Sequence, residues 1–293
     1  MTDHLFSFGH GYSAKALTRL LLPQGGWRIT GTTRTEEKAG TLRLSGVSPV
    51  IWPGGEVDVQ LDGVTHLLIS AGPTVDGDPV LAKMAGAIAR QAPRLKWVGY
   101  LSTTGVYGDH QGGWVDESTP LSPSTERGQL RVQAEAAWQL LASEAGFPLH
   151  IFRLAGIYGP GRGPFAKVRN GTARRIIKEG QVFSRIHVED IAQVLAASIT
   201  SPRAGAIYNL CDDDPAPPED VIQYAAELLD LPVPPAVDFE TADMTPMARS
   251  FYAESKKVRN DLIKSELGIR LKYPDYQAGL QALLASEGRS QTR

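Results

Sequence analysis

Cysteine is almost missing from this chain: Cys211 stands alone among 293 residues. No intrachain disulfide can form, and a reducing compartment, the cytoplasm, is the expected setting. Long apolar runs are missing too. No stretch approaches the ~20 residues of a transmembrane helix, and the first residues lack the basic segment and apolar core of a signal peptide. No membrane partner is expected. Charge of one sign is not in excess: 30 basic against 32 acidic residues leave a formal net charge of -2. That removes the field that draws a protein to nucleic acid or an anionic membrane. The 6 histidines are scattered and the cysteine has no partner, so no metal site is expected. No G-x-S-x-G elbow occurs, which sets aside a Ser-His-Asp hydrolase. Repeats and low-complexity tracts are also absent.

What is present begins with Leu5-Phe6-Ser7-Phe8, a short apolar strand, followed by Gly9-His10-Gly11-Tyr12-Ser13-Ala14. Ala14 to Leu22 then carry an apolar helical face. Strand, glycine turn and helix start make a dinucleotide site when they occur together. The glycines permit sharp dihedrals and a close pyrophosphate, and the helix start offers unpaired N–H groups. Many small-residue turns match the pattern by accident, so the rest of the chain has to support it. Trp27 to Thr32 form the second strand, completing a βαβ unit. At its end stand Thr32-Thr33-Arg34-Thr35, with no acid for a ribose 2′-hydroxyl. Thr33 and Arg34 suit the 2′-phosphate of NADP, with NAD the alternative cofactor. Against this, Arg34 also reads as a solvated loop cation, and Glu36 and Glu37 follow closely enough to oppose a phosphate.

Further strands are expected at Val47 to Trp52 (closing at Pro53-Gly54-Gly55), Thr65 to Ser70, Lys96 to Leu101, Leu149 to Leu154 and Ala206 to Leu210. Helices are expected at Val80 to Ala92, Thr125 to Gly146 and Glu219 to Leu231, with a helix opened by Ile186-His187-Val188-Glu189-Asp190 and an amphipathic last helix around Leu280, Leu283 and Leu284. Apolar strands separated by helices predict a doubly wound α/β protein with a parallel sheet. Ser70-Ala71-Gly72 would then lie across the cofactor, where small residues allow close approach. Hydroxyls at Ser102-Thr103-Thr104 sit at another strand end, where such sheets bind ligands. Between 162 and 185, Arg162, Lys167, Arg169, Arg174, Arg175, Lys178 and Arg185 face Glu179 alone. That stretch is either a solvated basic face or an electropositive rim for an anionic substrate or cofactor phosphates.

Several segments, in order, resemble the extended short-chain dehydrogenase/reductase family, whose members are often described as NAD-dependent epimerases and dehydratases. They are Gly9 to Ala14, Ser102-Thr103-Thr104-Gly105-Val106-Tyr107-Gly108, Asp116-Glu117-Ser118-Thr119-Pro120, Arg153-Leu154-Ala155-Gly156-Ile157-Tyr158-Gly159-Pro160-Gly161, Arg185-Ile186-His187-Val188-Glu189-Asp190 and Tyr208-Asn209. The resemblance implies a Rossmann sheet binding NAD(P), over 1–160 with 185–210, and a small, mainly helical substrate lobe, over 161–184 with 211–293. It also implies a Ser or Thr that orients a carbonyl, a Tyr acid/base and a Lys four residues later that lowers the Tyr pKa. Thr103 falls at the first position. Counting back from Glu135, the Tyr and Lys positions are held by Arg127 and Arg131. Arginine cannot shuttle a proton, though it can anchor a phosphate, a carboxylate or a ribose. This pattern, with G-x-G-x-x-A, is similar to the family's atypical branch.

The expected cofactor residues are therefore Gly9, His10, Gly11, Tyr12, Ser13, Ala14, Thr33, Arg34, Ser70, Ala71, Gly72 and Arg131. Arg127, Arg162 and Arg185 are expected at the substrate. Thr103, Tyr107 and Tyr158 are the candidates for chemistry, although both tyrosines also read as structural or wall residues. His187 and Asp190 read as braces of a loop–helix junction. Two functions stay open: an NADP-linked reductase or epimerase-like enzyme on a small polar or anionic substrate, and a non-catalytic NADP-binding sensor. A homodimer through the helices at Val80 to Ala92 and Thr125 to Gly146 is the expected assembly.

Overall fold

A computed structural model describes residues 2–54 and 61–290. Strands β1 (Asp3–Phe8), β2 (Trp27–Thr33), β3 (Ser48–Ile51), β4 (His66–Ile69) and β5 (Trp97–Thr103) join Leu149–Leu154 and Ile207–Leu210 in one sheet. Its order is Ile207–Leu210, Leu149–Leu154, β5, β4, β1, β2, β3. Every pairing is parallel. This is the expected doubly wound α/β sheet. The chain reverses direction across the sheet between β1 and β4, the place where such folds leave a crevice. Gly55, which closes the expected turn after β3, lies outside the described residues.

The sheet forms because its strands are apolar on both faces. In β1, Leu5 packs with Leu17, Ile29, Leu68 and Phe152 on one side. Phe6 and Phe8 point to the other side, with Ile69, Val98, Tyr100 and Trp138. Successive side chains alternate between faces, so one six-residue strand anchors two cores. Helix α1 (Tyr12–Leu21) buries Ala14, Ala16, Leu17 and Leu21 and packs along Val188–Thr200. Helix α3 (Pro79–Gln91) starts on Asp78, whose carboxylate accepts from the Val80 and Leu81 amides at 2.8 and 3.0 Å and from Trp138 Nε1 at 3.0 Å. That one side chain caps α3 and pins it to α4 (Glu126–Ala145).

The helix that follows β2 was not expected. Thr35 caps α2 (Glu36–Leu44), accepting from the Lys38 amide, and Glu36 and Glu37 occupy its first turn, where the helix dipole favours acids. The helix buries only Ala39 and Leu42, too little to mark a helical period in the sequence.

The remaining chain forms a lobe over the C-terminal ends of the strands. Its core contains Tyr158, Phe165, Val221, Ala225, Tyr276 and Leu280. Two short parallel pairs, Gly156–Tyr158 with Arg185–His187 and Arg175–Ile177 with Ala236–Asp238, add to its helices. Val258, Ile263 and Ile269 leave the lobe cluster and join the core under the sheet. Asp190 ties the same region down. It opens Val188–Thr200 and accepts from the Lys272 and Tyr273 amides at 2.7 and 3.1 Å.

A buried polar network crosses from α4 to the sheet. Glu135 and Arg153 pair at 2.8 Å with side chains 3% and 4% exposed. Ser102 donates to Glu135, Arg153 Nη1 to Tyr107 Oη at 3.0 Å, and Tyr107 to Asn209 at 2.7 Å. Removing one partner of such a pair strands the other charge in the interior. Glu135→Ala is therefore expected to cost about 3–5 kcal/mol, read as a lower urea midpoint. A cost under about 1 kcal/mol, typical of surface pairs, would show the network to be dispensable.

Candidate functional site

The glycine turn sits where three strand ends meet. The Gly9 amide donates to Thr32 Oγ1 at 2.7 Å and the His10 amide to the Thr32 carbonyl at 3.0 Å. The Ser70 and Ala71 amides donate to the Phe8 carbonyl at 2.9 and 3.1 Å. Gly9 has φ +78°, and a Cβ there would stand 2.9 Å from the Ala71 nitrogen. Only glycine meets both conditions without strain. Helix α1 then opens at Gly11 with no side-chain cap, so its first amides remain available to an anion. Gly9→Ala is expected to destabilise the protein by at least ~1–2 kcal/mol from backbone strain alone and to weaken NADPH binding more than tenfold, as followed by melting and calorimetry. Unchanged values would show that the turn relaxes without cost.

His10 behaves differently from its neighbours in the turn. Its ring is buried against Gly31, where a Cβ would come within 2.6 Å of His10 Cγ. Burial, and then Lys15, bring its pKa down to about 4, so the ring is neutral, and Nδ1 has no partner. Its expected place at the cofactor reduces to its backbone.

Arg34, at the end of β2, is exposed and makes no hydrogen bond or ion pair among the described residues. Glu36, expected to oppose a phosphate there, is held by Arg43 at 2.6 Å. Arg131 reaches from α4 to β5, the strand beside β4. Its Nη1 donates to Tyr100 Oη at 3.0 Å and to the Leu101 carbonyl at 2.9 Å. Its Nη2 lies 3.4 Å from where a Gly72 Cβ would stand. Arg162 also comes to this mouth: its guanidinium lies 5.8 Å from the Tyr12 ring, and Tyr12 donates to the Pro160 carbonyl at 3.0 Å. The structure thus places the Gly9–Ala14 turn, Arg34, Ser70–Gly72, Arg131 and Arg162 on one side of the sheet.

The groups considered for chemistry are more enclosed. Thr103 Oγ1 accepts from the Gly105 amide at 3.1 Å, capping a short turn. Tyr107 is fully buried; its hydroxyl is shared by Asn209 and Arg153, and burial pushes its pKa up to about 12 despite that arginine. Tyr158 donates to the Asp275 carbonyl at 3.3 Å. Burial first, then Asp212, Asp190 and Asp275, raise its pKa further from neutrality. His187 caps Val188–Thr200, accepting from the Glu189 amide at 3.2 Å; burial lowers its pKa to about 4. Arg127, on the first turn of α4, lies 5.8 Å from the Phe251 ring of the lobe.

The basic stretch does not form one rim. Arg169 pairs with Glu287 at 2.5 Å, Arg174 donates to the Asp243 carbonyl at 2.9 Å and Lys178 to the Tyr252 carbonyl. Arg185 turns inward and donates to the Phe183 and Ala216 carbonyls at 2.8 and 3.0 Å. Beside it stands a residue that sequence reasoning missed. Asp212 is 1% exposed, although Asp212-Asp213-Asp214 reads as a solvated turn. The one hint was its position, directly after the last strand of a parallel sheet.

Comparison with known proteins agrees with this geometry. Residues 81–211 match the NAD dependent epimerase/dehydratase family. Protein YeeZ of Escherichia coli (strain K12) is 29% identical over 267 residues, covering 85% of this chain and 89% of YeeZ. A functionally unknown conserved protein from Silicibacter pomeroyi DSS superposes with TM-score 0.92 at 63% identity, over 98% of this chain and 99% of that one. The UDP-glucuronic acid 4-epimerase of Bacillus cereus, in complex with NAD, shares the fold at TM-score 0.78 and 16% identity, over 96% of each chain. Residues 81–211 thus match the NAD dependent epimerase/dehydratase family, and the glycine turn and sheet order share the fold of the NAD-bound epimerase.

Proposed function

We propose that the chain binds NADP and uses it as an oxidoreductase or epimerase-like enzyme on a small polar substrate. The observation that carries this reading is the close approach of the Gly9 turn to Ser70–Gly72, beside an Arg34 that pairs with no acid among the described residues, Glu36 being held by Arg43. The α1 amides would hold the pyrophosphate, and Thr33 and Arg34 the 2′-phosphate. Arg131 would meet the ribose from the Gly72 side. Bound nicotinamide supplies hydride transfer. NAD is the alternative, since structural neighbours carry it.

Thr103 then orients the substrate, and Arg127 faces it from α4. Neither arginine can exchange a proton near neutral pH, and the hydroxyls of Tyr107 and Tyr158 are engaged in the interior. The proton therefore comes from water in the cleft. A side chain that supplied it would be worth roughly 10²–10⁴ in rate. On any substrate found with NADPH in a panel of carbonyl compounds and nucleotide sugars, Tyr107→Phe and Tyr158→Phe are expected to keep kcat within about threefold, far from that range. A hundredfold loss in either variant, with folding intact, would restore that tyrosine as the acid.

Fluorescence titration tests the cofactor. NADPH is expected to bind more tightly than NADH, with Arg34→Ala removing the difference; equal affinities in the native protein would sink the NADP assignment. A sensor is the second reading, favoured by Arg127 and Arg131 where a proton-handling pair would stand. Tight NADPH binding with no turnover on any substrate of the panel would decide for it.

A further inference from the structure

The lobe contains a group of buried polar atoms that the fold itself does not satisfy. Among the described residues, both carboxyl oxygens of Asp212 lack a hydrogen-bond partner, as do Arg175 Nε and Glu219 Oε2. The Asp214 and Arg185 amides lie near the Asp212 carboxyl and favour its charged form, without reaching hydrogen-bond geometry. Arg185 and Asp212 attract each other electrostatically, yet no hydrogen bond joins them. Glu219 in turn feels Arg175 and Arg185. Tyr158 and Tyr276, both nearly buried, and Tyr252 stand within the same field.

Unpaired polar atoms this deeply buried cost about 1–3 kcal/mol each, more when charged, and native proteins leave few of them. Packing alone would favour an apolar residue at 212 or a closed Asp212–Arg185 ion pair. Neither occurs. Instead the Asp212 amide donates to the Arg185 carbonyl at 2.6 Å, which sets the two residues side by side, with Tyr158 and Tyr276 as charge neighbours. The position also matters. Asp212 follows Ile207–Leu210 at the C-terminal edge of the sheet, and Arg185 pairs through its strand with Gly156–Tyr158. The loop after that strand touches the glycine turn through Tyr12 and Pro160. The group therefore lies on the cofactor side of the sheet, in the lobe.

We propose that Asp212 and Arg185 form the two poles of a substrate subsite, which selects a neutral moiety bearing hydroxyl or amide donors over a bare anion. The inference rests on reading this cleft as a substrate site, and it revises the expectation that Arg185 simply attracts negative charge. Asp212 accepts from the ligand donor, Arg185 donates to the adjacent acceptor, and the tyrosine rings flank the group. Burial, only partly offset by Arg185, pushes the Asp212 pKa up to about 8. Near neutrality the carboxyl thus adds little negative charge and still presents an acceptor oxygen.

The test compares two probes that share a phosphate, D-glucose 1-phosphate and inorganic phosphate, by calorimetry on the full chain. The sugar phosphate is expected to bind about tenfold more tightly, the worth of one hydrogen bond. Asp212→Leu, which removes the acceptor oxygen, is expected to abolish most of that preference and leave phosphate binding unchanged. Equal affinities for the two probes in the native protein overturn the proposal, whether or not the variant folds. So does an unaltered preference in Asp212→Leu, or a soaked crystal in which water alone bridges Asp212 and Arg185. NADPH titrations on the same samples separate the two readings. Intact NADPH binding with no probe preference removes the subsite alone, whereas probe preference without NADPH binding removes the cofactor assignment alone.

Discussion

The Glu135–Arg153 pair sets where the functional side chains stand. Two charges with almost no solvent contact are stable only while each keeps its partner and its other hydrogen bonds. The pair therefore fixes the rotation of α4 against β5 and Leu149–Leu154, with Ser102 and Tyr107 bound into the same network. Arg131 lies one helical turn before Glu135, and Arg127 one turn before that. Their reach toward the strand ends follows from the buried pair. Removing either charge of the Glu135–Arg153 pair would displace the site without touching it.

Where the resemblance implies Tyr and Lys, the chain has Arg127 and Arg131, and arginine suits binding rather than proton transfer. Arg131 has found local partners in Tyr100 and the Leu101 carbonyl, so it is a fixed fork rather than a free charge. The two tyrosines near the strand ends have partners in the scaffold: Tyr107 joins the ion-pair network, and Tyr158 donates to the Asp275 carbonyl just before the last helix. On the proposed reading, such a site would hold a cofactor and a polar ligand, and the proton would come from water.

Much of the fold was legible because strand period, glycine turns and helix caps are local. The run Leu5 to Phe8, the Gly9–Ala14 turn and the Leu149 to Leu154 strand could be read directly. Helix α2 could not, because it buries only two residues and rests mainly on its Thr35 cap and first-turn acids. At the site, the backbone role of Gly9 was legible, whereas the inward turn of His10 was not. That turn depends on Gly31, 21 positions away, having no side chain. Asp212 was hidden for a related reason. A carboxylate in an acidic, proline-flanked turn reads as solvated, and only tertiary packing covers it. The basic stretch was over-read as a unit, because carbonyls and acids distant in sequence take its cations one at a time.

The lobe shares its core with the sheet through Val258, Ile263 and Ile269, and Asp190 clasps the chain again at Lys272 and Tyr273. Two bodies joined only by a flexible strand could open and shut. Here the second half is stitched back into the first at several separated points, which opposes a hinged opening. A ligand bound between them would meet a shape present before it arrives and would lose little ordering entropy, as in a mould rather than a jaw.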